Sequence, residues 1–406
     1  MNLEAELRKH LNHLSVEIGP RPIGSPGDHA AADYVQDVFC GAGLEVEVQK
    51  FECPDWEDQS TSLMLDGEQV EAVANAFSPA CDVSAPSVAV GTVAELEAAD
   101  LEGRIGLLYG DLTKTPLSPK SWFLKSERDD HIIRLLEEKR PAALITVQSR
   151  LGDLERVIVD WEFTIPSASV SARVGLALLR RGASMLQLQI QSRQSPDHTC
   201  NVVARKAGQG PTRIVLCAHY DTTIDTPGAL DNGGGVAILL ALAQGLSQRE
   251  LQHGLEWIAF SGHEYLPLGD DEYLRRWGDQ LEEIVVAINF DGAGQYLGAN
   301  SIATFTSSPA FEDQMTKLTR QYPGVVWVDP WPQSNHSTFA WRGVPAIALS
   351  SEGRVKWDHL RDDSVEWVSL AKLEEVVWLV TAVVEGLQDK VLDWTRESEQ
   401  EQLTHT

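Results

Sequence analysis

Residues 213–246 read RIVLCAHYDTTIDTPGALDNGGGVAILLALAQGL. A short apolar run, RIVLCAH, opens the stretch, a turn containing Pro and Gly follows, and an almost wholly apolar segment of helical length closes it. A strand that apolar has no polar face to give to water, so it belongs inside a sheet covered on both sides. Three further strand patterns share this character, GLEWIAFSG, IVVAINFDG and VPAIALSS, and helical stretches separate them. Alternating strands and helices predict an α/β fold with a mixed, mostly parallel sheet sandwiched by helices.

Each of these strands runs into a residue able to bind a metal. CAHYDTT places His219 and Asp221 two apart at a strand end, where the period of two turns both side chains to one side. PGALDNGGGVA carries Asp231 in a Gly-rich turn before a helix. FSGHE supplies Glu264, INFDGAG supplies Asp291, and KWDHLRDDS supplies His359. In open α/β sheets ligands bind beyond the carboxyl ends of the strands, so this coincidence points to one site. Carboxylates with imidazoles suit zinc or a similar first-row dication, and a set with one shared carboxylate suits two ions.

Towards the N-terminus, GPRPIGSPGDHAAADYV predicts a helix capped by Ser25 with Pro26 at its first position, running to about Cys40. LEVEVQKFE and TCNVVARKA read as strands that can pair across everything between them. The intervening stretch has its own strand and helix rhythm, in GRIGLLYG, HIIRLLEEKR, PAALITVQ, IPSASVS, ARVGLALLRRG and MLQLQIQ. The expected organisation is a core in two parts, 1–55 and 196–395, around an inserted domain at 56–195, with a disordered tail at 396–406.

The chain has 406 residues, is 43% hydrophobic and carries a formal charge of -27. That charge repels nucleic acid and anionic membranes, so neither is an expected partner. Five cysteines without CxxC spacing argue against a disulfide framework. With no signal peptide or membrane span read from the sequence, the expected location is cytoplasmic. His13, His198 and His253 stand alone in the sequence and read as surface residues.

The motifs quoted above, together with FSGHEYLPLGDDEYL, SNHSTFAWRGVPAI and DHLRDDSVEWV, occur in an order that resembles the co-catalytic zinc exopeptidases. These include bacterial leucyl aminopeptidases, glutaminyl cyclases and glutamate carboxypeptidase II. The inserted stretch resembles the smaller protease-associated domain that many of them carry. The resemblance implies the zinc exopeptidase fold and two divalent metal ions, expected to be zinc. It assigns one ion to His219, Asp231 and Asp291, and the other to Asp231, Glu264 and His359, with Asp231 as the bridge. It also implies that Asp221 orients His219, and that the Asp231-Asn232 peptide is cis.

Two positions depart from the family pattern. Where the family has two consecutive glutamates, a general base followed by a ligand, this chain has His263 and then Glu264. Where the family often reads Ser-Asp-His, it has Ser334, Asn335 and His336. A neutral imidazole at His263 can in principle accept and return the proton of a general base, and Asn335 and His336 are expected at the substrate. Four tryptophans, Trp327, Trp331, Trp341 and Trp357, are candidates for lining an apolar pocket. The implied activity is metal-dependent peptide hydrolysis of the aminopeptidase type, with a peptide as partner. A glutaminyl cyclase-like transferase and a catalytically degenerate metal-binding protein are the alternatives.

Overall fold

The computed structural model of the chain describes residues 2–122, 125–150, 154–353 and 359–396. The chain divides into two compact units, Met1–Cys53 with His198–Thr406, and Pro54–Asp197. The tail expected to be disordered lies outside the described residues from 397 onward.

In the first unit the sheet is centred on Arg213–His219, flanked by Gly254–Phe260 on one side and by Ile284–Phe290 and then Ala346–Glu352 on the other. All neighbouring pairs among these four strands are parallel. Antiparallel neighbours close both sides, residues 202–206 against Gly254–Phe260 and Ala299–Phe305 against Ala346–Glu352. The sheet is thus mixed and mostly parallel, as expected from its uninterrupted apolar strands. Every residue of Arg213–His219, Gly254–Phe260 and Ile284–Phe290 is buried, which requires cover on both faces.

Helix Gly234–Leu246 supplies part of that cover and is itself buried almost all round. Residues 229–246 are long and apolar enough to cross a membrane by composition, but that segment lies 89% buried inside the protein. Helix Leu3–Asn12 packs against it through Leu7, His10 and Leu11, and helix Leu370–Gly386 lies against both. Ser25 caps helix Pro26–Gly41 by accepting from the Asp28 amide at 3.2 Å, with Pro26 in the first turn. The strand beginning at Glu45 pairs with the one ending at Lys206, and Arg205 donates to Glu47 at 2.8 Å.

Three histidines read as isolated have close neighbours. His253 is buried, with Nδ1 2.7 Å from Thr212 Oγ1 and Nε2 donating to the Lys390 carbonyl at 2.9 Å. The ring of His13 lies 4.0 Å from that of Tyr34, and His198 stacks on His29 at 5.2 Å. These partners come from other elements, and local pattern does not register them.

The second unit also contains parallel strands. Ser87–Val90, Ile105–Leu108, Ala143–Val147 and Ser167–Val170 run parallel in that order, with residues 185–190 antiparallel to Cys81–Pro86 at one side. Helices Glu127–Lys139 and Ala172–Arg181 follow the strand and helix rhythm of its sequence.

Candidate active site

The carboxyl ends of the parallel strands of the first unit gather the acidic and imidazole side chains. His219 is the last residue of its strand, Asp291 follows the last residue of Ile284–Phe290, and the turn after Gly254–Phe260 carries His263 and Glu264. Asp231 sits three residues before the start of helix Gly234–Leu246, and the Asp231-Asn232 peptide is cis. Two side chains hold this turn. Asp363 accepts from the amides of Leu230 and Asp231 at 2.8 and 3.0 Å, and Asn232 donates to the Phe290 carbonyl at 2.7 Å. Gly235 is required here, because a Cβ would stand 2.2 Å from Asn232 Oδ1 and 2.6 Å from the Phe290 carbonyl oxygen.

The two oxygens of Asp231 face different imidazoles. Oδ1 lies 3.2 Å from His219 Nε2, and Oδ2 lies 3.4 Å from His359 Nε2. His219 Nε2 is also 3.7 Å from Asp291 Oδ1, and His359 Nε2 is 3.0 Å from Glu264 Oε2. The structure therefore brings together all five residues singled out as ligands, with Asp231 in the middle. Two buried atoms of this cluster, His219 Nε2 and Glu264 Oε1, have no hydrogen-bond partner among the described residues. Buried polar atoms are rarely left so, and a divalent cation satisfies a lone pair as a hydrogen bond would.

Electrostatics agrees with that fit. Burial opposes protonation of His219, yet Asp221, Asp231 and Asp291 around it raise its pKa well above the ordinary value. Glu264 raises His359 in the same direction. Burial opposes ionisation of Asp231, but the imidazoles of His219 and His359 draw its pKa well below the usual range. Burial pushes Glu264 up to about 7, and Asp231 adds to the rise. The cluster favours positive charge at its centre, and its ligand types are those of zinc and related ions.

Asp221 stands beside the His219 ring, as expected, and also holds a turn. The closest partner of His219 Nδ1 is the Asp221 backbone carbonyl at 3.2 Å, while the carboxylate is 3.6 Å away. That carboxylate accepts from the amides of His263 and Glu264 at 3.2 and 3.0 Å, so it anchors the turn that presents both side chains. Arg21, fully buried, binds the loops around it. Its guanidinium donates to the carbonyls of Tyr220, Leu14, Gly19, Pro227 and Gly228 at 2.7 to 3.0 Å.

The ring of His263 lies 4.2 Å from that of His219, tilted by 31°, and its Nε2 is 3.9 Å from Asp291 Oδ2. Burial and the neighbouring His219 lower its pKa, which leaves the ring neutral. Asn335 and His336, expected at the substrate, are buried and tied to protein groups. Asn335 Nδ2 donates to both oxygens of Asp270 at 2.8 and 3.1 Å, and Thr338 donates to the same carboxylate. His336 Nε2 donates to the Trp331 carbonyl at 2.7 Å, and burial lowers its pKa to about 4. With its one N–H used in this way, neutral His336 has no donor left for an oxyanion.

Trp331 packs edge-on against His336, and the Trp327 indole donates to Thr319 at 3.0 Å. Trp341 is 53% exposed, and Trp357 lies outside the described residues.

Asp363, Arg21 and Asp270 escaped the reading of the sequence. All three lie within quoted motifs, at RDD, GPR and GDD, but nothing local marks them as supports of a site.

Comparison with known proteins agrees with this geometry. The model of peptidase family M28 matches residues 201–384. Aminopeptidase YwaD of Bacillus subtilis is 24% identical over 398 residues, covering 92% of this chain and 82% of that protein. A probable leucine aminopeptidase 2 of Aspergillus oryzae is 25% identical, covering 72% of this chain and 61% of its own length. Among solved structures, BSAP, a zinc aminopeptidase from Bacillus subtilis, superposes with a TM-score of 0.79 at 21% identity, over 97% of this chain and 98% of that one. With that sheet, this order of motifs and the match across 201–384, the chain is similar to peptidase family M28 over those residues.

Proposed function

We propose that the protein is a metal-dependent aminopeptidase that removes N-terminal residues from peptides. The observation that carries this reading is the Asp231 carboxylate, set between two imidazoles with Asp291 beside one and Glu264 beside the other. His219, Asp231 and Asp291 would hold one divalent cation, and Asp231, Glu264 and His359 the other, with zinc the expected ion. Such a pair, when bound, acidifies water and polarises the scissile carbonyl.

The chain's own groups have distinct tasks around that centre. Asp221 holds the turn at the amides of His263 and Glu264, and Asp363 holds the turn of Asp231. His263 stands in the general-base position with a neutral ring, so Nε2 is the atom that takes the proton from water and returns it to the leaving amine. Asn335, through Asp270, and His336, through Trp331, shape the wall beside it. The unit Pro54–Asp197 is read as a protease-associated domain, and the location as cytoplasmic.

The test is release of free amino acids from unblocked peptides, abolished by a chelator and restored by zinc, with N-acetylated peptides left intact. Cyclisation of N-terminal glutamine would replace the reading with that of a transferase. Two bound ions with no turnover of any peptide would mark a degenerate site.

A further inference from the structure

His263 is a proton carrier in the proposed reaction, but its surroundings hold a second feature. A nitrogen of His263, a nitrogen of His219 and an oxygen of Asp291 form a group whose ligand atoms all lie within 4.8 Å of one another. Asp291 divides its oxygens between the two rings, Oδ1 3.7 Å from His219 Nε2 and Oδ2 3.9 Å from His263 Nε2. Two ligands bound at the usual zinc distances stand about 3.4 Å apart, so a small rotation of the side chains would let one ion meet all three.

We propose that His263 is a sixth metal ligand, whose Nε2 joins His219 and Asp291 on the first cation when no substrate is bound. The proposal rests on the two-metal reading and extends it. Three features of the site support it. The backbone of the turn is fixed at two consecutive amides by Asp221, so successive side chains diverge. Glu264 goes to His359 at 3.0 Å, and His263 goes to the side of His219 and Asp291. One turn thereby serves both ions, one residue to each. The two rings also lie close, with centroids 4.2 Å apart and planes tilted by 31°, so nitrogens of both can face one ion.

Two consequences follow. A second imidazole added to the first position shifts it towards zinc, nickel and copper and away from manganese and magnesium. A lone pair that binds an ion cannot accept a proton at the same moment, so proton transfer by His263 begins only after Nε2 has left the cation.

The test counts imidazoles directly. In a His359→Ala background, which leaves the first position as the main binding site, the protein is loaded with one equivalent of Cu2+. Pulsed EPR then counts the histidine nitrogens coupled to the ion. Two are expected, from His219 and His263, and adding His263→Phe, which keeps a ring on His219, should reduce the count to one. A single imidazole before that substitution overturns the proposal. In the otherwise native chain, zinc competition with a chelator should show at least about tenfold weaker binding at one position in His263→Phe, with the other unchanged. Unchanged affinity at both positions also overturns it, while leaving two-metal hydrolysis in place. Failure of the native chain to bind any dication would defeat the two-metal reading itself, and this proposal with it.

Discussion

Removing the Asp221 carboxylate tests how the site is held together, since that group is assigned to neither cation but supports the turn that carries Glu264 and His263. It accepts two backbone amides, from His263 at 3.2 Å and Glu264 at 3.0 Å, and is completely buried. Hydrogen bonds to a charged acceptor contribute roughly 1.5–3 kcal/mol each, so Asp221→Ala should cost about 3–6 kcal/mol. Asp221→Asn keeps one accepting oxygen and turns its NH2 towards the other amide, so about half of that loss is expected. Part of the cost should fall on folding and part on cation binding, because the freed turn no longer holds Glu264 in place. Weakening of zinc binding by about 10- to 100-fold is the expected share. The assays are urea unfolding of the metal-free protein and zinc competition with a chromophoric chelator. If Asp221 instead acted mainly through the His219 ring, Asn would serve nearly as well as Asp, since one oxygen suffices for one ring N–H. A silent Asp221→Asn, or an Asp221→Ala protein that binds two zinc ions with native affinity, would refute the reasoning.

Asp231→Ala should abolish both metal sites, whereas His359→Ala should mainly weaken one; metal content after dialysis against zinc distinguishes them, and two ions per chain in Asp231→Ala would remove the bridge. Burial pushes Asp28 up to about 7 from 3.8, its carboxylate accepting from Ser261 and the Gly24 amide. The proton is held more tightly in the folded state, so this group's contribution to stability is present below about pH 4 and is lost as pH rises through about 7. Asp28→Asn should therefore gain in urea midpoint relative to the native chain between pH 5 and pH 8, and a constant difference would contradict the assignment. Replacing Pro54–Asp197 by a short Gly/Ser link should leave a folded unit that binds zinc, because the strands on either side of the excision pair with each other. Recovery of that deletion only as aggregate would show that the first unit does not fold alone.

The sequence by itself determined the strands, their parallel arrangement and the five residues at their ends. The reason is that a strand buried on both faces must be apolar throughout, so RIVLCAH and IVVAINF announce themselves, and a ligand just past each one lies at the same edge of the sheet. What only the tertiary structure decided is which groups hold those ligands. Asp363 reaches the amide of Asp231 across 132 residues, and Arg21 reaches the Gly228 carbonyl across 207. The carboxylate of Asp221 holds a turn 42 and 43 residues away as well as standing 3.6 Å from the ring two residues before it. His263 acquires its meaning from the faces of His219 and Asp291, brought beside it by two other strands. Periodicity records which face of an element is buried. It carries no record of which loops converge at the sheet edge, and a hydrogen bond between a side chain and a distant backbone amide depends on that convergence alone.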